Sequence, residues 1–230
     1  PEGIKRLREL VLSLAVRGKL VPQDPDDEPA SVLLERIAEE KARLVAAKKI
    51  RKRKGAKASA DLTLDLPAGW CQSRLGEVLL DIQAGWSPSA LSRPKESGEW
   101  GVLKVSACSW GKFLPSENKA LKPGTKPRPE LEVASGDFVI SRANTLELVA
   151  RSVVVDHCPP RLMLSDKTLR LELAKGCFAP YINLANLCDQ ARAHYAEHAS
   201  GTSASMRNVS QNAIWNTPIA LPPAAEQHRI

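Results

Sequence analysis

The segment GTSASMRNVSQNAIWNTPIALPPAAEQHRI, Gly201 to Ile230, joins three physically distinct devices in a fixed order. Gly201 to Asn212 reads as a helix stop followed by a polar loop. Ile214 to Leu221 reads as a short apolar strand, and Pro222 and Pro223 then launch a helix at Ala224. A proline pair suits a helix start, because the amide hydrogen that proline lacks has no intrahelical partner there. Upstream, Leu184, Leu187, Cys188, Ala191 and Tyr195 recur at helical spacing and predict one amphipathic helix leading into this segment.

Working outward, the other end of the chain is helical too. Ile4, Leu7, Val11 and Leu14 share a face and predict a helix over Ile4 to Arg17, with Gly18 as its stop. The turn-rich stretch Pro22 to Pro29 offers Asp27 or Glu28 as the cap of a second helix running to about Lys54. Its stripe of Leu33, Ile37, Leu44 and Ala47 is narrow, and at 1.5 Å per residue its length would be ~36 Å, so it calls for a partner helix. Between the ends the pattern turns strand-like at Trp100 to Val105, Phe138 to Ile140, Ser152 to Val155 and Thr168 to Leu173. These runs and helices together predict an α+β fold: a mixed-sheet domain behind an N-terminal helix pair, one of them a long spacer.

Composition narrows the class. The 43% apolar content is ordinary for a globular chain, and no apolar run approaches the ~20 residues that span a bilayer. No signal-peptide pattern precedes the first helix, which predicts a cytoplasmic protein. Five cysteines without a C-x-x-C pair argue against a disulfide framework or structural zinc, and read as small buried apolar residues. Of the net charge of +7, residues 1–60 carry +6, with 15 Lys and Arg against 9 Asp and Glu. Most of that excess sits in KKIRKRKGAK, Lys48 to Lys57, which reads equally as a solvated helix end or a phosphate contact. Charge alone therefore does not establish nucleic-acid binding.

Three catalytic patterns have partial matches or none. His194, Glu197 and His198 match H-x-x-E-H, but the third zinc ligand would have to come from Glu226 or His228 in the proline-led helix start. Glu117-Asn118-Lys119 matches the E-x-K half of a magnesium-nuclease signature without a convincing upstream aspartate, and reads better as a polar turn. No two of the 13 glycines are spaced G-x-G, and neither proline pair has the aromatic partner of a methyltransferase tetrapeptide. A stand-alone metal-dependent hydrolase or nuclease stays the alternative, as does an assembly adaptor without DNA reading.

The N-terminal run LRELVLSLAVRGKLVPQDPDDEPASVLLERIAEEKARL (Leu7 to Leu44), the internal GDFVISRANT (Gly136 to Thr145) and LMLSDK (Leu162 to Lys167), and the C-terminal segment together resemble the DNA specificity subunit of type I restriction-modification systems. The resemblance covers nearly all of the chain. It implies a helical conserved region and basic linker over residues 1–60, a target-recognition domain over 61–223 led in by Leu66, Pro67, Gly69 and Trp70, and the start of a truncated C-terminal helix over 224–230. In this family, paired helices space two recognition domains. With no antiparallel partner after Ile230, the sequence reads as a truncated chain, a fragment, or a half-subunit that dimerises.

Function follows as an expectation. The resemblance implies a non-catalytic subunit that reads one half-site of double-stranded DNA and docks two partners, a modification (methyltransferase) subunit and a restriction (translocase/nuclease) subunit. It implies no cofactor in this chain, with S-adenosylmethionine, ATP and Mg acting in the partners. Two polar, proline-containing loops are the candidate base readers: Gly85 to Glu99 with Arg93 and Lys95, and Lys119 to Pro129 with Lys119, Lys122, Lys126 and Arg128. Arg and Lys can donate to the O6 and N7 edge of guanine, although each position also reads as ordinary solvated surface. Arg142, Asn144, Lys167, Ser203, Arg207 and Asn208 fall in motifs shared by subunits that read different sequences, so they are assigned to phosphate contact or loop framework. The five tryptophans read as core anchors rather than stacking platforms.

Overall fold

The computed structural model describes residues 2–53, 65–201 and 206–230. In chain order the elements are α1 (Glu2–Val16), α2 (Ala30–Ala46), β1 (Cys71–Arg74), α3 (Leu75–Val78), β2 (Leu79–Ala84), β3 (Gly101–Leu103), β4 (Asn118–Ala120), β5 (Phe138–Ser141), β6 (Ala143–Asn144), β7 (Ser152–Val154), β8 (Leu162–Met163), β9 (Thr168–Leu173), α4 (Ala179–Leu187), α5 (Asp189–His198), β10 (Arg207–Asn208), α6 (Gln211–Trp215), β11 (Pro218–Leu221) and α7 (Ala224–Arg229). The α+β class read from the sequence is what forms. Two compact units divide the chain: Pro1–Asp81 with Leu173–Glu197 and Asn212–Ile230, and Ile82–Glu172 with His198–Gln211.

The first unit is mostly helical. α1 ends as predicted at Gly18, whose φ of +64° lets the amides of Gly18 and Lys19 turn back onto the carbonyls of Ala15 and Leu14. α2 uses the same device much earlier than the sequence suggested. Lys48 takes the left-handed conformation at φ +56°, its amide and that of Lys49 return to Val45 and Leu44, and the helix stops at Ala46 rather than near Lys54. Seventeen residues make it ~26 Å long. Its N-cap is Pro29 and not Asp27 or Glu28, whose carboxylates are occupied by Arg229 and Arg36.

No second long helix covers α2 among the described residues. Leu33 and Ile37 are buried, and the helix lies against α3, with Leu33 also against Gly176. The stripe of α1 departs further from expectation: Ile4, Leu7 and Val11 are exposed, together with Leu10. Hydrophobic periodicity found both helices and the Leu33–Ile37 part of the buried α2 face, but not which side of α1 is covered, where Ala15 is the buried residue.

The segment Gly201 to Ile230 folds differently from its reading in one respect. Ile214 and Trp215 close the short helix α6, and only Pro218–Leu221 is strand, paired antiparallel with β1 from Cys71↔Leu221 to Arg74↔Pro218. The turn between them is held by Thr217, whose hydroxyl donates to Ala213 and whose carbonyl accepts from the Leu75 amide. The predicted single helix around Leu184 to Tyr195 is two, because Cys188 is extended at ψ 163° and its carbonyl starts α5 by accepting from Arg192. α7 begins after Pro223 as expected. Its Glu226, 1% exposed, accepts from the Trp70 indole at 2.9 Å and from Gln23 at 2.8 Å, so this six-residue helix is fastened to both N-terminal and β1-flanking chain.

The second unit is built on sheets. One has strand order β2-β9-β5-β7, with β5 antiparallel to both β9 and β7. A second has order β4-β3-β8, in which β3 runs antiparallel to β4 and parallel to β8, giving the mixed sheet expected. Val139, Val153 and Val155 pack with Leu103, Phe113, Leu162 and Leu164 in its main core. A smaller cluster of Val102, Leu121, Leu131 and Met163 carries Trp86 and Trp100 on its margin. Gly85 marks where the chain leaves β2: a Cβ there would stand 2.3 to 2.4 Å from the Leu164 and Ser165 backbone.

Candidate nucleic-acid interface

The structure brings the two basic loops together. Their backbones are zipped by bonds from Leu91 to Ala120, from Ala120 to Arg93 and from Lys122 to Ser89, with an antiparallel bridge between Ala90 and Leu121. Asn118 is the hinge pin. It is buried, donates to the Pro115 carbonyl at 2.7 Å, and accepts the Lys95 amide at 2.8 Å. Asn118 therefore opens strand β4, and of the Glu117-Asn118-Lys119 triplet expected as a polar turn only Glu117 stays outside the strand. Glu117 accepts from the Ser106 hydroxyl at 2.6 Å, which lowers its carboxyl below the usual range, with Lys104 helping.

Within this joined surface the cations differ in state. Arg93 is held in a two-pronged pair by Glu99, both bonds 2.7 Å. That guanidinium, with the Glu96 amide, pulls the Glu99 carboxyl down to about 2. Arg93 thus braces the loop, and its fork already has a carboxylate where a guanine edge would sit. Lys119, Lys122 and Lys126 are exposed, Lys119 on a β4 position between buried Asn118 and Ala120. Lys95 is half-buried. Arg128 lies over the Trp86 ring at 4.3 Å from its centroid, an orientation that leaves a planar fork held on a rigid aromatic.

The framework residues form a second cluster. β6 pairs with β10 in the register Asn144↔Arg207 and Asn208↔Ala143. The Arg142 amide donates to the Lys167 carbonyl, and the Val209 amide to the Arg142 carbonyl. Asn144 donates to the Ser109 hydroxyl at 3.0 Å while its carbonyl oxygen caps the Thr145 amide. Arg207 donates to the Gly201 carbonyl. Five of the six framework positions are thus one backbone junction, and Ser203 lies outside the described residues.

Sequence reasoning missed three contributors. Glu99, six residues from Arg93, and Trp86, 42 residues from Arg128, give no local signal of their pairing. Trp110, expected as a core anchor, is 62% exposed, whereas Trp70 and Trp215 are buried.

Elsewhere the catalytic patterns find structural roles. The His194 ring lies 2.9 Å from the Ala213 carbonyl and edge-on to Tyr195. Among the described residues no group of three His, Cys, Asp or Glu side chains could hold a metal ion. The cysteines are free thiols, and burial pushes Cys108 and Cys177 up to about 12, far from a reactive thiolate. No described helix is long and apolar enough to cross a membrane.

A rigid β scaffold that displays paired basic loops defines a binding protein of the scaffold-and-loop kind. Sequence comparison narrows the class: the chain is homologous over 99% of its length to specificity subunits of type I restriction enzymes. It is 40% identical over 233 residues to the EcoEI specificity subunit of Escherichia coli and 32% identical over 241 residues to the EcoAI specificity subunit. The chain spans about two-fifths of the length of these curated relatives, 39% and 38%. A solved chain from work on complex assembly and conformational transition of the type I R-M system shares the fold, with a TM-score of 0.50 at 19% identity over 97% of this chain and 48% of that one. No family model matches.

Proposed function

We propose that this chain reads one half-site of double-stranded DNA as the recognition part of a type I restriction-modification complex. The observation that carries the reading is the zipped loop pair: two separate basic, proline-containing loops share one hydrogen-bonded edge, with Arg128 held on Trp86 and Lys119, Lys122 and Lys126 exposed. A surface of that kind presents donors to a major groove at low ordering cost. Arg128 is the strongest single candidate for a guanine edge, and Arg93 becomes a brace for the loop. Arg142, Asn144, Lys167, Arg207 and Asn208 act as framework, with phosphate contacts from Arg142, Lys167 and Arg207.

The partners proposed are a methylating modification subunit and a translocating, cleaving restriction subunit, with S-adenosylmethionine, ATP and Mg serving those subunits and catalysis residing there. The first unit, with its exposed α1 stripe, takes the docking role, and pairing with a second copy is part of the same proposal. The test is affinity selection from a randomised duplex pool by this chain reconstituted with a modification subunit, at two salt concentrations. Recovery of one short defined half-site, or of a gapped palindrome if two copies pair, is the expected result. Recovery of unselected DNA that washes off with salt would leave an assembly adaptor instead.

A further inference from the structure

Unit two exposes three large apolar side chains among its described residues: Trp110 at 62%, Leu146 at 42% and Met206 at 40%. They come from three separate chain segments, yet each lies one or two residues from a single junction. Ser109 accepts from Asn144, and Asn144 faces Arg207 across the β6-β10 ladder. Trp110 follows Ser109, Leu146 follows Asn144 by two, and Met206 precedes Arg207.

The indole has no burial reason to be there. Ser109 is buried and fixed to the Val105 carbonyl at 2.8 Å, while the next residues, Trp110, Gly111 and Lys112, stand out as an exposed tip, with Gly111 at φ +77°. A large aromatic side chain on a rigidly anchored tip is held out to meet something. The charges around it say what. The segments at the junction carry Lys112, Arg142, Arg151, Lys167 and Arg207 against only Glu147 and Asp166. The segments that meet at the junction thus carry a net of about three positive charges in a unit whose chain is otherwise close to neutral, which suits a phosphate-lined partner better than an apolar protein groove.

We infer that Trp110 is an apolar wedge that packs against the bases of the bound duplex, with Lys112, Arg142, Lys167 and Arg207 holding the flanking phosphates. The inference rests on the DNA-reading proposal and extends it from the loop pair to a second contact of different chemistry. Side chains of this kind partly unstack a base step and bend the duplex, and they read deformability rather than base edges. The framework motif then has a positive role: it positions a wedge that any target sequence can accept, while the loops supply the sequence.

The test uses the selected duplex with 2-aminopurine substituted at successive steps, bound by the chain reconstituted with a modification subunit. The expected result is a fluorescence rise at one step with the wild-type chain. Trp110→Ala should abolish that rise and weaken binding by roughly tenfold or more, with Trp110→Phe retaining most of both. Trp110→Ala is expected to fold normally, since the side chain is mostly solvated. Unchanged fluorescence and affinity in Trp110→Ala would overturn the inference while leaving half-site selection intact. Loss of co-purification with the modification subunit, with duplex affinity per assembled complex unchanged, would make the patch a protein contact and likewise overturn it. Failure of the wild-type complex to select any duplex would remove the DNA-reading proposal itself, and the wedge with it.

Discussion

Lys41 offers the sharpest physical test of the first unit. Its ammonium donates to the carbonyls of Gly76 at 2.6 Å and Glu77 at 2.7 Å, and it stands 5.2 Å from the centroid of the Trp215 ring, which Arg53 also approaches. It lines a cavity of about 570 Å³ between α2 and the α3 segment, walled by Leu34, Ala38, Val45 and Leu80. Burial holds its pKa down to about 8 from 10.5, against the opposing pull of Glu77 and Cys177. A depressed lysine binds fewer protons folded than unfolded between pH 8 and 10.5, so stability must rise with pH across that window. At 1.36 kcal/mol per pH unit the full effect is about 3 kcal/mol, and partial exposure of the side chain reduces this to about 1 to 2 kcal/mol. The buried thiols oppose it, since burial raises Cys108 and Cys177 and their neutral forms lose advantage as pH rises past the unfolded value. Comparison with Lys41→Met cancels the Cys108 share of that background, while Cys177, which loses the pull of Lys41 in the variant, adds to the difference in the same direction. Denaturant midpoints at constant m should show wild type gaining about 1 to 2 kcal/mol on Lys41→Met between pH 7.5 and 10.5. The loss of two carbonyl partners in the variant is a constant offset and does not affect this difference. Parallel stability curves would mean that the ammonium is solvated and the cavity wall open.

Three further outcomes follow from the second unit. Gly85→Ala sets a Cβ within 2.3 to 2.4 Å of the Leu164 and Ser165 backbone, which cannot swing aside, so a loss of about 1 to 3 kcal/mol in denaturation is expected; an unchanged midpoint would show that the loop root yields freely. Arg128→Ala should reduce affinity for the selected half-site by about 1 to 3 kcal/mol and relax the base preference at one position, with Trp86→Ala giving part of the same loss; selection indistinguishable from wild type would remove Arg128 from the reading surface. Glu99→Gln frees Arg93 from its carboxylate, so the dependence of binding on salt should steepen by about one phosphate contact while the half-site preferred stays the same; an unaltered slope would show that Arg93 stays bound within its loop.

Where local physics decides an element, the sequence was legible. Thr168–Leu173 forms the strand that its alternation predicts, and the helix stop at Gly18 and the helix start after Pro223 fall where glycine and proline put them. The misreadings share another cause. Lys48 ends α2 in a conformation usually left to glycine, Cys188 breaks one helical period into two helices, and Ile214 and Trp215 close a helix because Thr217 and Leu75 need them there. In each case a tertiary hydrogen bond or a backbone turn overrode the pattern, and burial can be right where the element is wrong: Ile214 is fully buried as an apolar run demands, only in the other secondary structure.

The site was legible as loops and not as residues, and the reason is electrostatic pairing. Sequence counts a cation wherever Lys or Arg is written, but a base reader must also reach solvent with its donors uncommitted. Arg93 and Arg128 are equivalent by composition, and both sit among prolines in polar loops. The fold separates them by giving one a carboxylate at 2.7 Å in both prongs and the other an indole face at 4.3 Å. A carboxylate competes with a guanine edge for the same N–H donors, whereas an aromatic face engages the guanidinium plane and leaves the donors at its rim. Arg93→Ala and Arg128→Ala should therefore fail differently: the first by loosening the loop, lowering affinity for all duplexes without redefining the half-site, the second by changing which base is preferred. Equal and sequence-specific losses from both would mean that the Arg93–Glu99 pair opens on DNA, and that the brace is itself a reader held in reserve.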